Sequence, residues 1–132
     1  MTAGKPRALV AGPDMLARRR TALALRRAGV QMVEETETGR EALLVLAERL
    51  MDAVFIPWTL DDMTALDFLA ATARPGPNRG LPVVIVGENP STPQRVDAVK
   101  AGAAGFLPEG QGDLTEWIQD VLAKNPRPHH AE

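Results

Sequence analysis

At 132 residues, with 45% apolar and 24% charged side chains, the chain has the size and composition of one soluble globular domain. No window approaches the roughly 18 apolar residues of a membrane span, the N-terminal MTAGKPR offers no signal-peptide core, and the absence of cysteine excludes disulfides, thiolate catalysis and cysteine-ligated metals, so a cytoplasmic protein is expected. Net charge is −2 but unevenly spread: in residues 1–27, Lys5, Arg7, Arg18, Arg19, Arg20, Arg26 and Arg27 stand against Asp14 alone, a basic stretch expected to be a solvated helix face, the other readings being a surface that steers an acidic partner or a nucleic acid.

Arg7 to Gly12 (RALVAG), a short apolar run between Pro6 and Pro13, predicts a buried strand. Asp14 is placed to cap a helix over about 15–28, with Leu16, Leu23, Leu25 and Ala28 near helical spacing and Gly29 as its stop. Val30 to Glu34 reads as a second strand with Val30 and Met32 or Val33 inward. Thr38 then caps a helix whose apolar face is Ala42, Leu43, Leu46, Ala47 and Leu50. Asp52 to Ile56, ending at Pro57, predicts a third buried strand, and Pro57 is tolerable there because a ladder amide is dispensable at a strand's end. Thr64 to Ala73 supplies a third helix with Leu66, Phe68 and Leu69 apolar, followed by the loop chemistry of residues 74–80 (RPGPNRG).

Leu81 to Val86 (LPVVIV) has the nearly continuous β-branched character of a central parallel strand covered on both faces. Thr92 or Ser91 caps a fourth helix with Pro93 at its first position, ending near Ala101 and Gly102. Ala103 to Leu107 makes a short fifth strand, and Asp113 begins a last helix carrying Leu114, Trp117, Ile118, Val121 and Leu122. The expected organisation is an N-terminal extension (1–6), one domain (7–124) and a polar tail (125–132), with flexibility in the two ends and the 74–80 loop. Strands alternating with helices at βαβ spacing predict an α/β fold, a doubly wound five-stranded parallel sheet with five helices.

Five blocks carry a family resemblance: RALVAGPDMLARRR, GREAL in the second helix, DAVFIPWTLDDMTALDFL around the third strand, LPVVIV, and AVKAGAAGFL through the fifth strand. Over residues 7–124 the chain resembles the receiver domains of bacterial response regulators. The resemblance implies a flavodoxin-like sheet of order 2-1-3-4-5 with the functional site at the carboxyl ends of the strands.

The departures from that family's pattern carry the functional expectation. The adjacent acidic pair that holds Mg²⁺ in the family falls on Gly12 and Pro13, leaving only the next residue, Asp14, acidic. The phosphoacceptor aspartate falls on Pro57, which has no side-chain heteroatom and cannot form an acyl phosphate. The Ser or Thr that binds the phosphoryl group falls on Gly87, the lysine after the fifth strand on Glu109, and the proline that usually follows it on Gly110. All five losses strike one chemistry while the apolar framework is kept. Without three carboxylates, a cation and a phosphoryl group, the site also has no anion excess for a lysine to balance. Asp14, Asp61, Asp62 and Glu88 are expected to cap or to be solvated rather than to rebuild a Mg²⁺ site, so neither metal nor cofactor is expected.

The resemblance therefore implies a phosphorylation-independent pseudo-receiver, a protein–protein interaction module of two-component signalling and not an enzyme. Trp58 is expected to cover the mouth of the sheet, the other reading being a partner anchor. Phe106 matches the family's switch aromatic, which without a hydroxyl at Gly87 becomes fixed packing or part of a constitutive interface. Val96, Val99, Lys100, Phe106, Glu116 and Trp117 fall near the surface of fourth helix, fifth strand and fifth helix that serves output and dimerisation, so a homodimer is one expectation. Met15, Arg18 and Arg19 fall near the surface that meets a histidine kinase or phosphotransfer protein; another regulator is a further possible partner. The chain is either a stand-alone module or a fragment cut at a domain boundary.

Two rival readings remain. In one, the emptied pocket beside Gly12, Trp58 and Gly87 senses a nucleotide or another metabolite. In the other, the basic first helix binds DNA, against which stand the acidic balance, a pI of about 5.7 and the lack of a helix-turn-helix or stacking pattern. Ser91, Thr92, Thr64, His129 and His130 fit no catalytic order and are expected to be caps and tail.

Overall fold

The structure is a computed structural model, and it describes residues 6–88, 90–108 and 115–124. Strands and helices alternate as β1 (Arg7–Ala11), α1 (Met15–Arg27), β2 (Met32–Thr36), α2 (Gly39–Glu48), β3 (Ala53–Pro57), α3 (Ala65–Thr72), β4 (Val83–Gly87), α4 (Thr92–Ala101), β5 (Ala103–Pro108) and α5 (Thr115–Lys124). The strands form one parallel sheet of order β2-β1-β3-β4-β5, so the predicted doubly wound topology is the observed one.

The near-continuous apolar runs of β1, β3 and β4 follow from burial on both faces. Leu9, Ala11, Val54, Ile56, Val83 and Ile85 face one core, completed by Ala42 and Leu46 of α2, Phe68 and Leu69 of α3, and Ala98 of α4. Ala8, Val10, Ala53, Phe55 and Val84 face the other, against Leu25 of α1 and Ile118 and Val121 of α5. Pro57 ends β3 opposite Val86 of β4, beyond the β1 pairing that stops at Val10 and Phe55, so its missing N–H interrupts no β1 ladder. One irregularity lies between Val83 and Val84, where Ala104 of β5 is skipped in the pairing.

Several boundaries differ from expectation for local reasons. β2 begins at Met32, not Val30, because Val30 belongs to the cap of α1. Gly29, at φ +99°, takes the left-handed position, its N–H donates to the Arg26 carbonyl and the Val30 N–H donates to the Leu25 carbonyl. Val30 packs in the same core as Leu25, which completes a Schellman motif. Met32 is consequently exposed and Val33 half-buried. On α1 itself Thr21, Ala22 and Leu25 face inward, whereas Leu16 and Leu23 point to solvent, as do Ala47 of α2 and Leu66 of α3.

β4 starts at Val83 rather than Leu81, since the Leu81 N–H closes a turn onto the Asn78 carbonyl and Pro82 has no N–H to give. Ser91, not Thr92, caps α4, in a capping box with Gln94. The expected start of the last helix at Asp113 lies outside the described residues. The 74–80 loop, expected to be flexible, is pinned by Asn78. That side chain is buried and its amide donates to the Leu46 and Arg49 carbonyls at 2.7 and 2.6 Å while its oxygen accepts from the Met51 N–H at 3.0 Å. One amide thus satisfies carbonyls left open at the end of α2 and the entry to β3.

Candidate functional site

The carboxyl ends of the parallel strands gather the residues on which the functional expectation rests. Two groups of side chains meet there. The first surrounds a pocket of about 140 Å³ lined chiefly by Ala11, Gly12, Pro13, Asp14, Arg18 and Pro57. Gly12 follows β1, and a Cβ built on it would make ordinary van der Waals contact with the Pro57 ring at 3.6 Å. Asp14 is engaged as the expected cap of α1, its carboxylate accepting from the Leu16 and Ala17 N–H groups at 2.9 and 3.3 Å.

Arg18 is turned inward. Its side chain is only 9% exposed, donating to the Gly12 carbonyl at 2.7 Å and pairing with Glu35 of β2 at 3.1 Å. It locks α1 to the ends of β1 and β2, and the exposed cation of this surface is its neighbour Arg19, which approaches Glu35 at 3.4 Å.

The second group is aromatic. The Trp58 indole lies over Gly87, where a Cβ would meet its Cδ1 at 3.2 Å, closer than a side chain at that position tolerates without the ring giving way. Trp58 also stacks on Phe106, with centroids 5.8 Å apart and planes inclined by 17°. The Arg95 guanidinium of α4 lies over the Phe106 ring, 4.8 Å from its centroid. Trp58, Gly87 and Phe106 were legible in the sequence; Arg95 was not, because nothing local marks a cation that meets an aromatic across a strand–helix junction.

The loop that presents Trp58 is fixed at several points. The Ala65 N–H donates to the Trp58 carbonyl and the Leu60 N–H to the Met63 carbonyl, while Thr64 and Asp67 form a capping box at the start of α3. Asp62 accepts from the Gly39 and Arg40 N–H groups, both at 2.9 Å, and so caps the start of α2 from a distant loop. Its carboxyl is held below the ordinary value chiefly by the Arg40 and then the Gly39 N–H bonds.

This end of the sheet is a poor fit for a divalent cation. Gly12, Pro13 and Pro57 have no ligating side chain, Asp14 and Asp62 are spent on helix N-termini, and among the described residues no three carboxylate or imidazole groups converge.

Of the remaining expected residues, Val96, Val99 and Lys100 lie on the exposed side of α4 and Glu116 on that of α5. Trp117 is half-buried, its ring edge over Gly105 of β5, where a Cβ would meet it at 3.3 Å. Glu109, Gly110, His129 and His130 lie outside the described residues. No helix among the described residues is long and apolar enough to cross a membrane.

A sequence model of the response regulator receiver domain matches residues 8–119, nearly the whole of the fold just described. The chain belongs to the response regulator receiver domain family. Solved receivers share its architecture. The chemotaxis response regulator CheY4 of Vibrio cholerae superposes with a TM-score of 0.80 at 22% identity, over 89% of this chain and 99% of its own. A CheY-like receiver domain protein of Methanospirillum hungatei gives 0.77 at 24%, over 92% and 97%. The receiver domain of a Pseudomonas aeruginosa sensor histidine kinase, solved with a magnesium ion coordinated in its active site cleft, gives 0.77 at 16%, over 92% and 98%. At these identities the likeness speaks for the fold. The receiver family places the chain in two-component signal transduction.

Proposed function

We propose that this receiver works without phosphorylation, as a protein–protein interaction and regulatory module of two-component signalling. The observation that carries the reading is Pro57, the last residue of β3, standing where the resemblance places the phosphoacceptor. A pyrrolidine ring offers no oxygen to a phosphoryl donor. Gly12 and Pro13 have no side-chain oxygen for the metal that would activate one, and Glu109 stands in the place of the family's lysine.

The aromatic stack supports the same reading from the output side. In phosphorylated receivers a Ser or Thr hydroxyl draws toward the phosphoryl group and the aromatic of the fifth strand follows. Here Trp58 occupies the space over Gly87 that such a side chain needs. Phe106 contacts both Trp58 and Arg95, contacts worth about 0.5–1.5 kcal/mol for the ring pair and about 0.5–1 kcal/mol for the cation. The output surface of α4, β5 and α5 is thereby kept in one state, with Val96, Val99 and Lys100 displayed for a partner or a second copy. Met15 and Arg19 of α1 remain available to a histidine kinase, a phosphotransfer protein or another regulator, so that the protein acts as competitor or scaffold.

The test is incubation of the purified protein with Mg²⁺ and acetyl phosphate, followed by Trp fluorescence and intact mass. The expected result is no specific metal response and no phosphoryl mass increment; a phosphorylated species overturns the reading.

A second reading, a small-ligand sensor, is favoured by the pocket beside Gly12 and Pro57. Its volume of about 140 Å³ lies below the roughly 300–1,000 Å³ of sites for drug-sized ligands. Trp58 also closes the neighbouring space over Gly87. A nucleotide is therefore too large, and only a small metabolite suits it. Thermal stabilisation by one of a panel of such metabolites, abolished by Gly12→Leu, favours the sensor.

A further inference from the structure

Helices of a parallel α/β sheet run back against their strands, so the ends of α2 and α3 lie at the opposite end of the sheet from Pro57 and Trp58. Between them is a second concavity of about 260 Å³, lined by Leu43, Leu46 and Ala47 of α2, by Ala71 and Thr72 of α3, and by the 74–79 loop with Arg74, Pro75 and Pro77. Its outer wall is built in advance. Asn78 is buried and bonded to Leu46, Arg49 and Met51, the Arg79 N–H closes a turn onto the Gly76 carbonyl, and Gly80 takes the left-handed φ of +80° that the reversal into β4 requires. Two prolines stiffen the same wall.

The charge on this groove has one sign. Arg74 and Arg79 line it, no carboxylate does, and among the described residues neither guanidinium forms an ion pair. Two free guanidinium groups beside an apolar trough are complementary to a carboxylate next to an aliphatic or aromatic side chain. Asn78, the buried polar side chain in its lining, is already committed to Leu46, Arg49 and Met51, so an open concavity of this kind suits the side chains of a peptide segment better than it suits an enclosed small ligand.

We infer that the α2–α3 groove with Arg74 and Arg79 is a docking site for an acidic-apolar peptide segment of a partner protein, placing a bulky apolar side chain between α2 and α3 and its flanking carboxylates on the two arginines. The site is independent of the strand-end pocket and stands whether or not the receiver accepts phosphate.

The probe is an acetylated six-residue peptide of alternating glutamate and leucine, titrated into the ¹⁵N-labelled full chain. Amide shifts are expected at Leu43, Ala47, Thr72, Arg74 and Arg79, weakening as salt is raised. The double variant R74E/R79E, altered only at exposed positions, should keep the wild-type spectrum elsewhere and bind about tenfold more weakly. It should in turn take up the peptide in which lysine replaces glutamate. Shifts confined to other surfaces, no shift at millimolar peptide, or binding indifferent to the charge reversal overturn the inference. So does octanoate binding as tightly as the peptide, which would make the groove a small-acid site.

Discussion

Truncating Trp58 to alanine tests whether the aromatic stack is a structural lock or a loose cover. A buried aromatic replaced by alanine costs about 3–5 kcal/mol. Trp58 is half-buried, so about 2–3 kcal/mol is expected, of which about 1 kcal/mol is the ring pairing with Phe106. Since small domains are stable by about 5–15 kcal/mol, the variant should still fold, with a melting temperature lower by about 10 °C, taking roughly 4 °C per kcal/mol for a chain of this size. Urea unfolding followed by circular dichroism gives the loss directly, and Trp117 remains as a fluorescent reporter. The decisive quantity is the double-mutant cycle with Phe106→Ala: the two losses should fall short of additivity by about 1 kcal/mol. A Trp58→Ala loss below about 0.5 kcal/mol, the ordinary effect of a surface substitution, or strict additivity in the cycle, would refute the claim that Phe106 is held by the indole.

Restoring one carboxylate should not restore the chemistry: Pro57→Asp alone is expected to show no acyl phosphate by intact mass, because Gly12, Pro13 and Glu109 still lack the groups that bind metal and phosphoryl oxygen. Asn78→Ala removes bonds to two carbonyls and one N–H in a buried position and should destabilise by about 2–4 kcal/mol in urea unfolding; a loss within about 0.5 kcal/mol would mean that water takes over those bonds. Asp62→Ala should lower the melting temperature at neutral pH. Because the folded carboxyl is depressed below its ordinary 3.8, the wild-type advantage should be whole above that value and drain away as pH falls through the lower folded value. An advantage that persists in strong acid would show that the N–H bonds from Gly39 and Arg40 do not depend on the charge. Arg18→Ala should cost about 1.5–3 kcal/mol through the charged bonds to Gly12 and Glu35; Arg19→Ala, largely exposed, should cost less than about 1 kcal/mol.

Much of the fold was legible because each local signal agrees with the global one. After Arg7, the runs ALVA, AVFIP and VVIVG are apolar throughout, as a sheet covered on both faces demands. Asp14, Thr38 and Thr64 announce helices α1, α2 and α3 by a short-range bond to an N–H two or three residues on. The errors lie where a tertiary bond outranks the local pattern. Val30 reads as strand but closes a helix cap, Leu16 and Leu23 read as core but face water, and RPGPNRG reads as free loop but is tethered through one buried amide.

By itself the sequence determined the residue types at the strand ends. Gly12, Pro13, Pro57 and Gly87 have no ligating, nucleophilic or hydroxyl side chain in any conformation, and the alternation of strands and helices already implied their convergence. Only the tertiary structure decided what fills the space they leave. Arg18 turns inward because the Gly12 carbonyl and Glu35 await it there. Trp58 lies on Gly87 because that residue has no side chain to keep it off, and Arg95 reaches Phe106 because α4 is folded over β5. Such partners lie on different segments of the chain, and no periodicity or capping rule connects them; they meet because the sheet order and helix packing bring them within a few ångströms.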